Sequence, residues 1–187
     1  MFQLTGERVL LRDFTEADVG PFIALSDDEE IFTFTKSRVT KDSARTELLT
    51  RLLAEPSLTP RPAYHLVIES SDGFAGYCGI DGMEATDQAE FGWYLRSDRW
   101  GHGYATDATR LILRFGFESL ERRRMCATAD PDNLASVRVL EKSGLACDGS
   151  IGLVETWRGP RPRLLFSISY TDWSLVSRGS PVIKPDR

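Results

Sequence analysis

Apolar residues recur along this chain at two spacings, and each spacing predicts a different kind of secondary structure. The spacing of three to four residues that marks one face of a helix occurs over residues 41–53, 105–115 and 134–143. Short apolar-rich runs, which are typical of strands, occupy residues 7–14, 64–69, 74–81, 89–95, 125–130, about 147–154 and 164–171. Residues 15–18 follow the first run with the pattern of a helix start.

These elements succeed one another as strand, helices, three strands, helix, strand, helix and two strands. Short turns separate the three middle strands, which predicts antiparallel hairpins, while helices connect the strands that follow. We therefore predict one α/β (α+β) domain over residues 1–176, with a mixed sheet. Residues 177–187, which contain Gly179, Pro181 and Pro185, are expected to form a flexible C-terminal tail.

Composition narrows the classes of function. The 187 residues carry a net charge of −5, which argues against a nucleic-acid partner because such proteins usually present a basic face. No apolar run approaches the roughly 18 residues that a membrane span needs, and the first residues do not resemble a signal peptide. Cys78, Cys126 and Cys147 are too far apart for a zinc or redox motif. We expect a cytoplasmic protein without a metal.

Two glycines, Gly101 and Gly103, directly precede the second predicted helix. Glycines beside a helix N-terminus allow a phosphate or diphosphate to approach unpaired backbone N–H groups. A dinucleotide fingerprint would need a third glycine where Thr106 stands, and no Lys-Ser/Thr pair follows, as a nucleotide triphosphatase loop requires. From the glycines alone, a tight turn without any ligand remains an alternative.

The surrounding residues carry a family resemblance. Residues 100–105, WGHGYA, resemble the acyl-CoA signature Gln/Arg-x-x-Gly-x-Gly/Ala of the GNAT acetyltransferase superfamily. Residues 6–18, 100–108 and 133–145 resemble the ribosomal-protein N-terminal acetyltransferase (RimJ/RimL-like) branch, in which a tryptophan in place of the signature's Gln or Arg is usual. Trp173, expected to close the last strand, fits as well. The resemblance implies a mostly antiparallel sheet of about seven strands, splayed between strands 4 and 5, with helices on both faces.

The resemblance also implies a binding site for acetyl-CoA. Backbone N–H groups of the glycine loop and the helix start would hold the diphosphate, and the Leu95 N–H would polarise the thioester carbonyl. Asn133 would bond the pantetheine arm, although it also fits the N-cap of its helix. The implied cofactor-binding residues are Leu95, Trp100, Gly101, His102, Gly103, Tyr104, Ala105, Thr106, Asn133 and Ser136.

Acetyl transfer to an amine requires a base, a leaving thiol and stabilisation of an oxyanion. Glu90 is the best candidate base, because many family members carry a glutamate on the strand before the diphosphate loop. It is equally interpreted as a solvated strand carboxylate, and Asp81 and Glu155 are weaker candidates. Where many members place a general-acid tyrosine, this sequence has Leu140. Ser136 lies one helical turn earlier and either protonates the thiolate or only packs its helix.

The acceptor would lie between the early helices and the loop that joins the last strands. The acidic residues 27–30 either attract a cationic amine or form a solvated face. Trp93 and Trp157 either wall the acceptor pocket or pack in the core, and His65 is interpreted as a strand filler. The resembling branch often has an aspartate before the last strand, whereas this sequence has arginines, which disfavours ribosomal-protein acceptors and allows an acceptor with a carboxylate or a small natural product. These arginines are Arg158, Arg161 and Arg163.

The leading hypothesis is therefore an N-acetyltransferase that moves an acetyl group from acetyl-CoA to a primary amine. The amine belongs to a peptide N-terminus or to a small molecule, and it attacks directly in a ternary complex, because no cysteine occupies a motif position. The same fold with another acyl donor and a non-catalytic CoA-binding sensor or interaction domain are the alternatives. The sequence is compatible with a monomer or a homodimer.

Overall fold

The computed structural model describes residues 2–36, 38, 42–82 and 87–177. Eight strands form one sheet in the order β1-β2-β3-β4-β5-β6-β8-β7, and five α-helices accompany it. The strands are β1 (Gln3–Thr5), β2 (Leu10–Arg12), β3 (Tyr64–Ser70), β4 (Gly73–Asp81), β5 (Gln88–Leu95), β6 (Arg124–Ala129), β7 (Ala146–Val154) and β8 (Arg161–Ser169). The helices are α1 (Val19–Asp27), α2 (Asp42–Ala54), α3 (Tyr104–Glu118), α4 (Leu134–Lys142) and α5 (Tyr170–Ser177).

The sheet is antiparallel except where β5 meets β6. That parallel pairing extends only from Gln88 to Glu90 on β5, opposite Arg124 to Cys126 on β6. The sequence did not predict the short strand β1, so the observed strands β5 and β6 correspond to the fourth and fifth predicted strands. The expected α/β fold, with a mixed sheet that splays between these two strands, is confirmed.

Apolar side chains fill both faces of the sheet, which explains why helices cover both. One buried cluster includes Ile112 and Phe115 of α3 and Met125 of β6. The other includes Phe22 of α1 and Leu52 of α2. The alternation predicted for β5 holds, because Phe91 and Leu95 belong to the first cluster while Tyr94 packs against the second.

The last strand, predicted over residues 164–171, covers Arg161–Ser169, so it begins three residues and ends two residues earlier than predicted. The chain then turns into α5, so the prediction that Trp173 closes a strand is wrong. The reason is a local cap: Ser169 Oγ donates to the Asp172 carboxylate at 2.6 Å, and the Asp172 N–H donates back to Ser169 Oγ at 3.1 Å. Trp173 packs its ring on Phe117 of α3 instead.

Two sequence predictions fall wholly or mainly outside the described residues. Residues 178–187, nearly all of the predicted tail, lie outside the described residues, as do residues 83–86 of the turn before β5.

The predicted helix start after β2 is present: the Thr15 N–H donates to Asp18 Oδ2 at 2.8 Å, in a 3₁₀ turn over Glu16–Asp18 that leads into α1. None of the described helices is long and apolar enough to cross a membrane.

Candidate active site

A gap opens in the sheet directly after Glu90 and Cys126, the last residues that pair between β5 and β6. Beyond them β5 stays paired with β4 as far as Leu95, whereas β6 stays paired with β8 as far as Ala129. The two strands therefore diverge toward their carboxyl ends. The backbone groups that would have joined them are left facing the gap.

Leu95 presents its peptide groups to this gap. In an antiparallel pair, residues that bond the neighbouring strand alternate with residues whose N–H and C=O point away from it. The Arg96 N–H donates to the Ala75 carbonyl at 2.9 Å, so the adjacent pair of Gly76 and Leu95 points away. The Leu95 carbonyl accepts a hydrogen bond from Trp100 Nε1 at 3.1 Å instead. The Leu95 N–H is directed to the same side.

The glycine loop leads from β5 into α3. After a 3₁₀ turn over Ser97–Arg99, Gly101 and Gly103 adopt φ angles of +79° and +80°, which L side chains rarely adopt. The first backbone hydrogen bond of α3 joins the Asp107 N–H to the Gly103 carbonyl at 3.0 Å. The N–H groups of residues 103–106 therefore lack partners within the helix and lie at its positively polarised end.

A cavity of about 340 Å³ lies against this loop. Four of its lining residues, Gly101 to Tyr104, were predicted to bind the cofactor, and the ring of His102 stacks on that of Tyr104. The fifth lining residue is Arg8, from the turn between β1 and β2, which the sequence reasoning missed. No pattern near Arg8 could have identified it, because its nearness to the loop depends on contacts made almost a hundred residues later in the chain.

Glu90 lies where the sheet divides, with its side chain on the α1 and α2 face. Its carboxylate forms an ion pair with Lys36 Nζ at 3.2 Å, and both side chains are largely exposed. Asp81 lies directly opposite on β4, which makes it the nearer of the two weaker candidates. Glu155 lies in the loop between β7 and β8, two residues before Trp157, whose backbone N–H donates to the Lys36 carbonyl. Glu90 is therefore the candidate base closest to the opening of the gap.

The start of α4 follows the end of β6, the strand that diverges from β5 at the gap. Asn133 caps this helix, because its Oδ1 accepts a hydrogen bond from the Ser136 N–H at 3.1 Å. The Ser136 side chain is half-buried, which leaves it accessible to a ligand. Leu140, one turn later, is 1% exposed and belongs to the core, so the position at which the resemblance implied a general acid is a packing position in this chain.

Two of the three predicted acceptor arginines are held by carboxylates of the loop between β6 and α4. Arg161 Nε donates to Asp130 Oδ2 at 2.8 Å, and Arg161 Nη2 donates to Asp132 at 3.2 Å. Arg163 is almost fully buried, with Nη1 3.5 Å from Asp130 Oδ2. Burial would raise the pKa of Asp130, but the Arg161 hydrogen bond and the Asp132 N–H hold it below its usual value. Arg158 forms no ion pair within the described ranges and stacks on Trp157.

The loop between β7 and β8 docks against the segment after α1. Trp157 Nε1 donates to the Phe32 carbonyl at 2.9 Å, its backbone N–H donates to the Lys36 carbonyl at 3.1 Å, and its side chain is partly exposed. Trp93 instead packs with Phe91 on the α3 face. The two tryptophans, for which a pocket wall and core packing were the alternatives, therefore lie on opposite faces of the sheet, and Trp157 is the one on the face of Glu90.

Most of the acidic run at residues 27–30 is engaged within the protein. Asp27 pairs with Arg45 at 2.6 Å and Glu29 with Arg38 at 3.1 Å. Asp28 Oδ2 accepts hydrogen bonds from Ser97 N and Oγ, at 3.2 and 2.6 Å. It thereby ties the end of α1 to the loop that follows β5. These contacts support the structural interpretation of the run over attraction of an amine.

Comparison with known proteins gives a consistent result. A family model described as "Acetyltransferase (GNAT) domain" matches residues 8–146. The chain is 24% identical over 161 residues to the uncharacterized N-acetyltransferase p20 of Bacillus licheniformis. This match covers 85% of the chain and 90% of p20. It is also 40% identical over 74 residues, 38% of its length, to the uncharacterized protein YkkB of Bacillus subtilis (strain 168), and this match spans only 43% of YkkB.

The fold is also found among solved structures. RimL, a ribosomal L7/L12 alpha-N-protein acetyltransferase solved in complex with coenzyme A, superposes with a TM-score of 0.77 at 15% sequence identity. The superposition covers 90% of this chain and 98% of that one. At that identity the likeness extends to the fold alone.

Proposed function

This chain belongs to the GNAT acetyltransferase family, and we propose that it moves an acetyl group from acetyl-CoA to a primary amine. In this proposal the amine attacks the thioester directly, while both substrates are bound. The observation that carries the proposal is the continuity of two features: the unpaired N–H groups at the start of α3 lie one short loop away from the gap that Leu95 faces. A molecule with a diphosphate at one end and a thioester at the other suits both.

The glycine loop fits coenzyme A as a substrate. At a φ of +80°, Gly103 leaves the space that a side chain would fill, and a Cβ there would come within 3.4 Å of Arg8 Cδ. Residues 103–106 supply N–H donors to a diphosphate without any demand on their side chains. Asn133 and Ser136, across the gap, would contact the pantetheine arm.

The reaction needs little acid strength but accurate positioning. The amine nitrogen attacks the thioester carbon. The oxyanion that forms accepts a hydrogen bond from the Leu95 N–H, and the C–S bond then breaks. Glu90 accepts the proton that the nitrogen loses, directly or through a water molecule, since an α-amino group has a pKa of about 8. The departing thiolate takes a proton from Ser136 or from water. No stronger acid is needed, because a thiol with a pKa of about 8.5 is already a good leaving group.

The acceptor in this proposal is a peptide N-terminus or a small-molecule amine. RimL, with the same fold, acts on a protein α-amino group, which favours the first. In this chain Arg161 and Arg163 are occupied by Asp130, so a carboxylate on the acceptor would be met by Arg158 beside Trp157. We further propose a cytoplasmic location, in keeping with three unpaired cysteines.

A thiol-release assay tests the activity. Acetyl-CoA is offered with panels of peptides, polyamines, amino acids and aminated antibiotics, and propionyl-CoA and longer acyl-CoAs replace it in parallel. Release with acetyl-CoA and one class of amine is the expected result. Release only with a longer acyl-CoA would identify a different donor. Tight binding of CoA without release across all panels would instead support a non-catalytic sensor.

The Gly103→Val variant tests the binding site. It should lose CoA affinity, because the new side chain strains the loop and enters the ligand's space. Gly149→Val is its matched control: Gly149 also has a positive φ, +112°, but lies on the edge strand β7 with no neighbour within 4 Å. Unchanged titration calorimetry for Gly103→Val would contradict the site.

A further inference from the structure

The turn between β1 and β2 is fastened to the first turn of α3 by one buried carboxylate. Asp107 Oδ2 accepts hydrogen bonds from the Arg8 N–H at 2.7 Å and the Val9 N–H at 3.0 Å, and Asp107 is 8% exposed. Gly6 completes this contact, because a Cβ at that position would overlap the Asp107 carboxylate. The backbone of Arg8 is therefore fixed relative to the N-terminus of α3.

The side chain of Arg8 extends from this fixed point along the glycine loop. Its Cδ, Nε and Cζ atoms lie 3.4, 3.5 and 4.0 Å from the position that a Cβ on Gly103 would take. It lines the same cavity as Gly101, His102 and Tyr104. Arg8 is exposed, and its guanidinium has no ion-pair or hydrogen-bond partner in the described part of the chain. Asp107 Oδ2 accepts from the backbone N–H groups of Arg8 and Val9 and forms no ion pair with the Arg8 guanidinium.

We propose that Arg8 binds the diphosphate of coenzyme A, as a charged ligand added to the N–H groups of α3. This inference rests on the proposed function. A diphosphate carries formal negative charge, whereas a helix N-terminus supplies only about half a positive charge. A guanidinium next to Gly103 adds a full charge and paired donors that match phosphate oxygens. Asp107 is a positioning residue, since it acts by fixing the backbone of Arg8.

The position of Arg8 favours the diphosphate over the 3′-phosphate of the same molecule. Its side chain lies against Gly103, the residue that caps α3, and the free N–H groups that suit a diphosphate begin at that residue. Dephospho-CoA, which keeps the diphosphate and lacks the 3′-phosphate, separates the two sources of charge.

The test is isothermal titration of CoA and dephospho-CoA into wild type, Arg8→Gln and Arg8→Lys. Arg8→Gln should weaken both ligands by about tenfold or more, a typical effect for a lost charged hydrogen bond. Arg8→Lys should recover part of the loss, because it keeps the charge without the paired donors. The salt dependence of binding should be less steep for Arg8→Gln than for wild type.

Arg123→Gln is the matched control. Arg123 is another exposed arginine, but it precedes β6 at the opposite end of the sheet from the glycine loop, so its loss should leave both affinities unchanged. Equal CoA affinity in Arg8→Gln and wild type would overturn the inference, as would a loss confined to CoA with dephospho-CoA unaffected. Wild type with no affinity for either ligand would overturn the proposed function, and the role of Arg8 with it.

Discussion

The indole of Trp100 gives the first position of the acyl-CoA signature a physical task in this chain. Its Nε1 bonds the Leu95 carbonyl on the gap side of β5 at 3.1 Å. That bond fixes the carbonyl of Leu95, the residue whose own N–H is proposed to donate a hydrogen bond to the oxyanion. Gln and Arg, the residues usual in the general signature, also end in N–H donors. Trp100 is therefore a positioning residue in this proposal, although it stands at the start of the diphosphate loop.

Trp100→Phe should lower kcat about five- to tenfold, which is the value of one neutral hydrogen bond of roughly 1 kcal/mol, while KM for acetyl-CoA changes little. The ring is kept, so the loop retains most of its packing. Steady-state kinetics with thiol detection separates the two constants, and Trp100→Gln should restore much of kcat by supplying a donor. A rise in KM at constant kcat would show that Trp100 serves binding rather than the oxyanion.

Glu90→Gln should reduce kcat about a hundredfold or more at neutral pH, the usual contribution of a general base. The amide keeps the shape of the side chain but cannot take the proton, so the remaining rate should rise with pH as the free amine accumulates. Lys36→Met is the matched variant, because it removes the partner 3.2 Å away and leaves the carboxylate. The equilibrium affinity for CoA should be the same in both variants. Wild-type turnover in Glu90→Gln would show that Glu90 is not the base and would leave Asp81 as the next candidate.

At the scale of elements, the alternation and spacing of apolar residues predicted which face of a strand or helix each side chain occupies. The pattern of β5 placed Glu90 and Tyr94 on one face and Leu95 on the other, and the structure agrees. Two failures are local: β1 pairs with β2 across a short turn, Leu4 opposite Leu11, and the cap at Ser169 starts α5. The others come from contacts between residues far apart in the sequence, since Arg161 and Arg163 meet Asp130 only once β6 and β8 pair. Arg8 was missed for the same reason.

Glu55 connects α2 to the sheet through a buried ionic cluster. Its carboxylate accepts hydrogen bonds from Arg61 at 2.9 Å and from the His65 backbone N–H at 2.7 Å, and His65 Nδ1 lies 2.6 Å from its second oxygen. Arg61 also pairs with Asp13 at 2.8 Å. His65 thus belongs to an ion network, in place of the strand filler that the sequence suggested. The cluster determines how α2 meets β3.

This cluster predicts a loss of stability in acid. Burial would raise the pKa of Glu55, but bonds from His65 and Arg61 lower it below its usual value of 4.5. A carboxyl group whose pKa is lower in the folded state stabilises that state above its unfolded pKa, and the contribution disappears as pH falls through the folded value. The free energy of unfolding should therefore fall below about pH 5. Urea denaturation from pH 7 to pH 3 measures it.

Glu55→Gln is the comparison for that experiment. It should cost about 3 kcal/mol at pH 7, as is usual when one partner of a buried pair is removed, and its stability should depend less on pH than that of wild type. Asp27→Asn, at an exposed ion pair with Arg45, should have little effect at either pH. Parallel pH profiles for wild type and Glu55→Gln would exclude the cluster as the source of the acid sensitivity.

At the scale of the whole molecule, the split sheet divides the domain into two parts. The strands β1 to β5 form one part and β6 to β8 the other. In the described residues the two parts are joined by a three-residue parallel pairing, by the packing of α3 and by the hydrogen bonds of Trp157 to the segment after α1. The order of strands and helices was enough to predict a mixed sheet, but the split itself came from the family resemblance. Periodicity describes each strand alone and cannot report that two adjacent strands stop bonding each other.

Occupation of the gap should therefore stabilise the domain as a unit. If coenzyme A bonds both β5 and the start of α4, saturating it at 100 times its Kd should add about 2.7 kcal/mol to the free energy of unfolding. For a chain of this size that raises Tm by about 5–10 °C. Differential scanning fluorimetry measures the shift, and hydrogen exchange locates it: amide protection should increase at residues 91–95, at 127–129 and at 103–106. Protection confined to residues 103–106 would mean that the ligand is held by its diphosphate alone and does not enter the gap, in which case the thioester would not reach the Leu95 N–H.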